Sequence, residues 1–437
     1  MSVFVNLFTN ALLIFIRKPM PNTAIKFSLH EDWVVVMLGF LIILLAILGI
    51  KPLSPTYGWS SASELTTKIV ASGNLAKIGI QFLFVLAIAF IGVLLTSRPV
   101  KYFVYTFTVL YVVTVFALII AGNKTVKSYN LEAVIFSLGL GLLISNLFKL
   151  PDWFRAALST ELFVKIGLVL LGTSIIFSDI LKAGSYGLLQ ALVVVVSVWY
   201  FAYWLCKKMK IDSELTMMIS SAVSICGVSA AIATAGAIKG DTKKLSYVIS
   251  LVLICAIPMM IVMPYLAQWM GLSQAVTGAW LGGSIDTTGA VVASGSLVGE
   301  EALKISTIVK FSQNVLLGIA AFGISVYWTY TKKSANGETE KPTLRIIWER
   351  FPKFVLGFVA ASLLFSFVLS AETIGEVKDS LKNIQSLWFV LAFTSIGLET
   401  KFSDLLKGEN RKPMYAFLIA QLFNVLVTLV IAYFLFR

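Results

Sequence analysis

Two stretches of this 437-residue chain set polar groups in apolar surroundings: Ser220 to Ala237, SSAVSICGVSAAIATAGA, and Leu281 to Ser296, LGGSIDTTGAVVASGS. Fourteen of 18 positions in the first and 11 of 16 in the second are Gly, Ala, Ser, Thr or Cys, so neither was built merely to be apolar. Small residues let backbones approach closely, and glycine lets a helix break. Cys226-Gly227 and Gly282-Gly283-Ser284 are the expected breaks. The single acid in either stretch is Asp286. An acid in such a place can carry a proton, stay ionised against Lys310, or coordinate Na⁺ with Thr287, Thr288 and freed carbonyls. It can also cap a half-helix restarting at Thr287. Lys310, Gln313 and Asn314 stand at i, i+3 and i+4 and share a helix face. Lys310 could bind an anion, neutralise Asp286, or snorkel to the interface. Ser224, Ser229 and the N–H groups after Gly227 would face the same cavity, because a half-helix N-terminus attracts anions. Gly283 and Ser284 complete the candidate set. The chemistry implied is ion coupling and solute binding.

The elements that must position these groups are membrane spans. Hydrophobic residues make up 58% and charged residues 13% of the chain, about half the charge of a soluble protein. Apolar spans are expected at about 33–50, 76–97, 100–121, 131–148, 161–181, 187–206, 244–266, 303–329, 354–370, 384–400 and 414–436, each near the ~20 residues a bilayer demands. The special segments fall at about 214–238 and 273–297. A broken helix in a bilayer is tolerated only where protein or a water-filled cavity satisfies the freed backbone. Secondary transporters build substrate sites this way. Residues 1–20 end in Arg17-Lys18-Pro19, the reverse of a cleavable signal, and read as an interfacial helix. The sizeable soluble pieces are 51–75 and 331–353, the latter a charged linker. The chain divides into an N-terminal segment (1–32), a transmembrane extension (33–130), a first repeat (131–266) and a second repeat (267–437).

The net charge of +13 comes from Lys and Arg clustered between spans, which fits the positive-inside rule and not nucleic-acid binding. If both special segments cross the membrane, loop Lys plus Arg divide about 20 to 13; if both re-enter, about 23 to 10. Either count places the N-terminus in the cytoplasm and the C-terminus outside. Cys206, Cys226 and Cys255 show no metal spacing or disulfide framework. His30, beside Glu31 and Asp32, reads as interfacial, and so do Glu161 and Lys165. One histidine, in the N-terminal region, allows no Ser–His–Asp set, and no Walker loop or dinucleotide fingerprint is present, so no enzyme is expected. Gly172-x4-Phe-Ser-Asp179-x-Leu-Lys182 recurs as Gly397-x4-Phe-Ser-Asp404-x-Leu-Lys407. An odd number of crossings separates the copies, so they should be inverted, with Asp179 and Asp404 ending helices on opposite faces as capping or hinge residues.

SICGVSAAIA at Ser224–Ala233, GGSIDTTGAVVASG at Gly282–Gly295 and Val309-Lys310 resemble the bacterial family of proposed sulfate exporters, over roughly 130–437. GTSIIFSDILKAG also fits that family. IGLETKFSDLLKGENRKPMYAFLIAQ further resembles the bile acid, arsenite and riboflavin transporter superfamily. The resemblance implies a multispan transporter with two interrupted core segments. Two positions depart from it: a His of the family pattern is Asp286 here, and an Arg is Gln313. Both changes remove positive charge from the inferred site.

The chain therefore reads as an all-α integral membrane protein with about 11–13 transmembrane segments, inverted repeats and two interrupted core segments. The expected function is secondary transport of a small anion coupled to H⁺ or Na⁺, with no cofactor. Asp286 would be the coupling residue; Lys310 and the Cys226-Gly227 backbone would form the wall of the site. A channel, or a carrier of a small organic substrate unrelated to sulfate, is the alternative. The implied partners are the solute, the coupling ion and the lipid bilayer; a homodimer stays open.

Overall fold

The computed structural model describes residues 30–437 apart from 53, 97, 99, 129–132, 176, 332–347, 349–350 and 401–410. The expected interfacial helix at 1–20, most of the 331–353 linker and Asp404 lie outside the described residues. The principal helices are α1 (Glu31–Ile47), α2 (Ser72–Leu95), α3 (Phe103–Ala121), α4 (Ala133–Leu147), α5 (Thr160–Leu171), α6 (Phe177–Lys208), α7 (Ser213–Ser224), α8 (Val228–Ile238), α9 (Thr242–Trp269), α10 (Gln274–Ser284), α11 (Thr288–Val298), α12 (Glu300–Thr331), α13 (Lys353–Leu363), α14 (Ala371–Glu399) and α15 (Lys412–Phe436). Among the described residues there is no strand, and seven helical stretches are long and apolar enough to cross a membrane.

Both special segments are interrupted, and both are re-entrant hairpins. Asp212 starts α7 by accepting from the backbone N–H groups of Glu214 and Leu215, at 3.0 and 3.3 Å. At the far end of α8, Asp241 N–H donates to Glu214 Oε2 (3.2 Å) and Lys244 Nζ lies 2.9 Å from Asp212 Oδ1. The segment thus leaves by the face through which it entered. In the second hairpin Gln274 Oε1, at the start of α10, accepts from Ala302 N–H just past α11 (3.4 Å). The 32-residue α6 separates the two bases: its first turns lie near Glu301, and Lys207 near its end bonds Ser213. Arms of 11 or 12 residues reach about 17 Å, roughly half of a 30 Å hydrocarbon layer, so the two tips meet near its middle.

The second break falls later than Gly282-Gly283-Ser284. These three remain helical, and the chain opens at Ile285, Asp286 and Thr287. The glycines serve close packing instead. A Cβ at Gly282 would lie 2.5 Å from the Ser306 carbonyl oxygen, and one at Gly283 2.5 Å from Gln190 Nε2. At the first break Gly227 has φ +62° and ψ −109°, a conformation that favours glycine.

The helices pack most densely within two groups. One comprises α1 to α5, α13 and α14; the other comprises α6, α9, α12, α15 and both hairpins. In the first, Thr160 at the start of α5 bonds Glu399 at the end of α14 (2.6 Å), and a Cβ at Gly167 would meet the Phe389 ring. These helices are antiparallel, so the glycines of the repeated motif, Gly172 and Gly397, lie at opposite ends of the pair. Two expectations change here. Asp179 sits in the first turn of α6, at the start of a helix and not at the end of the preceding span. The span expected at 384–400 begins at Ala371, because Ser370 caps a polar first half by accepting from Thr373 N–H at 3.2 Å.

Candidate functional site

An α-helix leaves its last carbonyls and its first N–H groups without partners inside the helix. Two hairpin tips at mid-membrane therefore bring together two carbonyl ends and two amide ends. The molecule treats these poles differently.

The carbonyl pole is satisfied by buried side chains. Lys310 on α12, 1% exposed, donates through Nζ to Ile225 O (3.0 Å), Ile285 O (2.8 Å) and Gln313 Oε1 (2.8 Å). Gln313 Nε2 donates to Ser224 O at 2.9 Å and reaches Gly283 O at 3.4 Å. From α15, Gln421 Nε2 donates to Ser284 O (2.8 Å), and Asn424 Nδ2 to Val223 O (3.1 Å) and Ser284 O (3.3 Å). Thr428 holds Asn424 in place by donating to its Oδ1 at 2.9 Å. One ammonium thus faces the negative ends of both half-helix dipoles, α7 and α10. Lys310 is neither a snorkelling lysine nor a wall of the cavity. Two of its donors are spent on backbone carbonyls that would otherwise be orphaned, and the third on the Gln313 side chain.

The amide pole is open. Gly227 precedes α8, and Thr287 caps α11 by accepting from Ala290 N–H (3.4 Å). Cys226, Val228, Ser229, Thr287, Thr288 and Asn314 line a cavity of about 600 Å³ that lies against both helix groups. Ser229 is exposed to it. Asn314 Nδ2 donates to Thr288 Oγ1 (3.3 Å), while its Oδ1 is buried and unpartnered. The wall from α9 is aliphatic, with Leu253, Ile257 and Met260, and Phe354 on α13 continues it.

Between the poles lies Asp286, 2% exposed. A Cβ at Gly227 would sit 2.9 Å from Asp286 Cβ, so the two tips touch there. Asp286 is not the helix cap, since Thr287 holds that position. Among the described residues its Oδ2 has no hydrogen-bond partner, and Lys310 and Gln421 are the polar side chains that act on the carboxyl group. A carboxylate buried there costs several kcal/mol in water lost, which Lys310 offsets in part and a proton or a bound cation relieves further.

The cavity mouth carries an ion network that the sequence did not reveal. Lys165 lies 3.0 Å from Glu31 Oε1, 3.0 Å from Asp32 Oδ1 and 3.7 Å from Glu161 Oε2. Arg98 pairs with Glu31 and donates to Ser159 Oγ at 3.2 Å. Glu399 Oε1 accepts from the Thr160 hydroxyl at 2.6 Å. His30 caps α1 by accepting from Asp32 N–H (3.3 Å) and lines the same mouth. Lys165 and Glu161 are therefore cavity residues and not merely interfacial. Of the residues singled out from sequence, Cys226, Ser229, Thr287, Thr288 and Asn314 share the cavity; Ser224, Gly227, Gly283, Ser284, Lys310, Gln313 and Asp286 lie behind it. Gln421, Asn424 and Thr428 escaped notice, although three polar residues at i, i+3 and i+7 of an apolar span mark one helix face.

Comparison with known proteins gives an independent placement. A UPF0324 membrane protein of Rhodopirellula baltica is 41% identical over 368 residues, covering 82% of this chain and 67% of the relative. One from Nitratidesulfovibrio vulgaris is 36% identical over 394 residues, covering 87% of this chain and 65% of the relative. The chain spans about two thirds of the length of these two relatives. One from Nitrosomonas europaea is 28% identical over 444 residues, covering 87% of this chain and 90% of the relative. No solved structure matches the chain. The family model described as Conserved hypothetical protein 698 matches residues 105–416, most of the chain and all of both hairpins, and the chain belongs to this family of multispan membrane proteins.

Proposed function

We propose that this chain is a secondary carrier that moves a small solute with an acidic group across a bacterial inner membrane, coupled to protons through Asp286. One observation carries the reading. Two re-entrant tips from opposite faces present their positive helix ends to one cavity, while their negative ends are neutralised by Lys310. An acidic group at Ser229 and Thr288 would take up the backbone donors of α8 and α11. The cavity between two helix groups, each packed chiefly on itself, supports alternating access by movement of one group against the other. With the N-terminus on the cytoplasmic side, as the loop charges favour, the cavity mouth at His30 and Arg98 faces the cytoplasm. Sulfate fits less well. Both cationic side chains at the cavity, Arg98 and Lys165, already face carboxylates, and a dianion would meet Glu161 and Glu399 on the way in.

Reconstituted vesicles test this reading. A carrier shows saturable exchange that a proton gradient drives uphill. Asp286→Asn should abolish the pH-driven component while exchange at equal pH persists. A channel behaves otherwise: flux rises without saturation, and Asp286→Asn alters selectivity. Asp286→Asn protein with unchanged pH-driven transport would remove the coupling role.

A further inference from the structure

The cavity offers acceptors as well as donors. Asn314 is 6% exposed and lines the cavity, yet its Oδ1 is buried with no partner. A buried amide oxygen left over a cavity is suited to a ligand that donates a hydrogen bond. Glu399 points the same way. It is exposed at the cavity, bonds only the Thr160 hydroxyl, and makes no close ion pair among the described residues; Arg98 and Glu161 act on it from a distance. It is also close to the amide pole. Ile396, one turn earlier on α14, brings its Cδ1 within 3.2 Å of where a Cβ would stand on Gly289. One turn is about 5.4 Å, the scale of a small amino acid.

The charges at the mouth agree. Asp32, Glu161 and Glu399 line the cavity against Arg98 and Lys165, and Glu31 behind them engages both bases. Asp32 Oδ2 also accepts from Lys353 N–H at 2.9 Å. The acids outnumber the bases, which disfavours a solute of net negative charge. A plain carboxylate would satisfy the amide pole but leave Asn314 Oδ1 without a donor and Glu399 without a cation.

Resting on the carrier reading above, we infer that the substrate is a small zwitterion with an apolar body. Its acidic group lies at the amide ends of α8 and α11, beside Ser229 and Thr288. Its amine faces Asn314 Oδ1 and the Glu399 carboxylate. Its hydrocarbon part lies along Leu253, Ile257 and Met260 of α9. A site built around a buried hydrogen-bond acceptor rejects an analogue lacking the donor far more strongly than one differing by a methylene.

The test uses the full chain, purified and reconstituted, with probes that differ by one group: 2-aminohexanoate, 6-aminohexanoate, hexanoate, pentylamine and inorganic sulfate. Binding is read as a rise in melting temperature and transport as counterflow. At least one aminohexanoate should half-saturate at a concentration tenfold or more below that of hexanoate, with pentylamine and sulfate inert. Glu399→Gln keeps an oxygen for Thr160 and should fold; it should raise the aminohexanoate value tenfold or more and leave hexanoate unchanged or lower. Asn314→Leu should act in the same direction. Hexanoate or sulfate binding more tightly than both aminohexanoates would overturn the zwitterion assignment and leave the carrier standing, as would a Glu399→Gln protein with wild-type preference. Non-saturating conductance of these solutes would overturn both.

Discussion

The carbonyl pole and the amide pole of the hairpin tips are made from the same backbone, yet they are finished in opposite ways. At the carbonyl pole the terminal carbonyls of α7 and α10 meet Lys310, Gln313, Gln421 and Asn424, all buried. At the amide pole the starts of α8 and α11 are left facing a cavity. Half-helix polarity is unavoidable once a helix is broken in a membrane. One pole is neutralised permanently by the protein, and the other is left for a solute. Substitutions should therefore separate cleanly. Changes at the carbonyl pole should cost stability, and changes at the amide pole should cost binding.

The largest effect is expected at the point of contact between the tips. Gly227→Ala must adopt φ +62° and push Cβ to within 2.7 Å of Val252 Cγ1. Backbone strain and overlap together should cost on the order of 3 kcal/mol or more. Loss of the monodisperse peak in size exclusion, or a large fall in melting temperature, would show it; a wild-type profile would contradict the tip geometry. Lys310→Met comes next. It removes two charge-assisted bonds to Ile225 O and Ile285 O and should cost about 3 kcal/mol in stability. A Lys310→Met protein that melts like the wild type but binds its solute poorly would reverse the assignment of the poles. Smaller still are Ser229→Ala and Thr288→Val. Ser229→Ala should shift stability by about 0.5 kcal/mol or less, and Thr288→Val, which frees Asn314 Nδ2, by about 1 kcal/mol, while each raises half-saturation several-fold. Equal loss of stability and binding at these positions would blur the distinction between the poles.

The transmembrane pattern was legible because mean hydropathy reports spans directly, and most helices fall within a few residues of their expected places. The first half of α14 was not, since Glu372, Glu376, Lys378, Asp379 and Lys382 read as a loop. That half is ordered by its Ser370 cap and by contacts with a distant loop, including Lys51 Nζ donating to Glu376 O at 2.7 Å. Small-residue composition marked both hairpins, but it could not separate a glycine that opens a helix from one that admits a neighbour. Gly227 does the first, and Gly282 and Gly283 do the second. Lys310 was found by its type, and its role was misread because its partners are backbone carbonyls from two hairpins. Lys165 read as interfacial beside Glu161, and its other carboxylates, Glu31 and Asp32, stand too far back in the chain for the sequence to pair them.

The division between the poles is tested most directly by two serines on one hairpin. Ser224 ends α7 on the carbonyl side and is fully buried, while Ser229 begins α8 and faces the cavity. In a background without the native cysteines, Ser224→Cys and Ser229→Cys differ only in pole. A membrane-impermeant maleimide should label Ser229→Cys from the face bearing His30, and from the opposite face as well once exchange is running, with Ser224→Cys silent from both. Equal labelling of the two, or Ser229→Cys confined to a single face during exchange, would contradict the account.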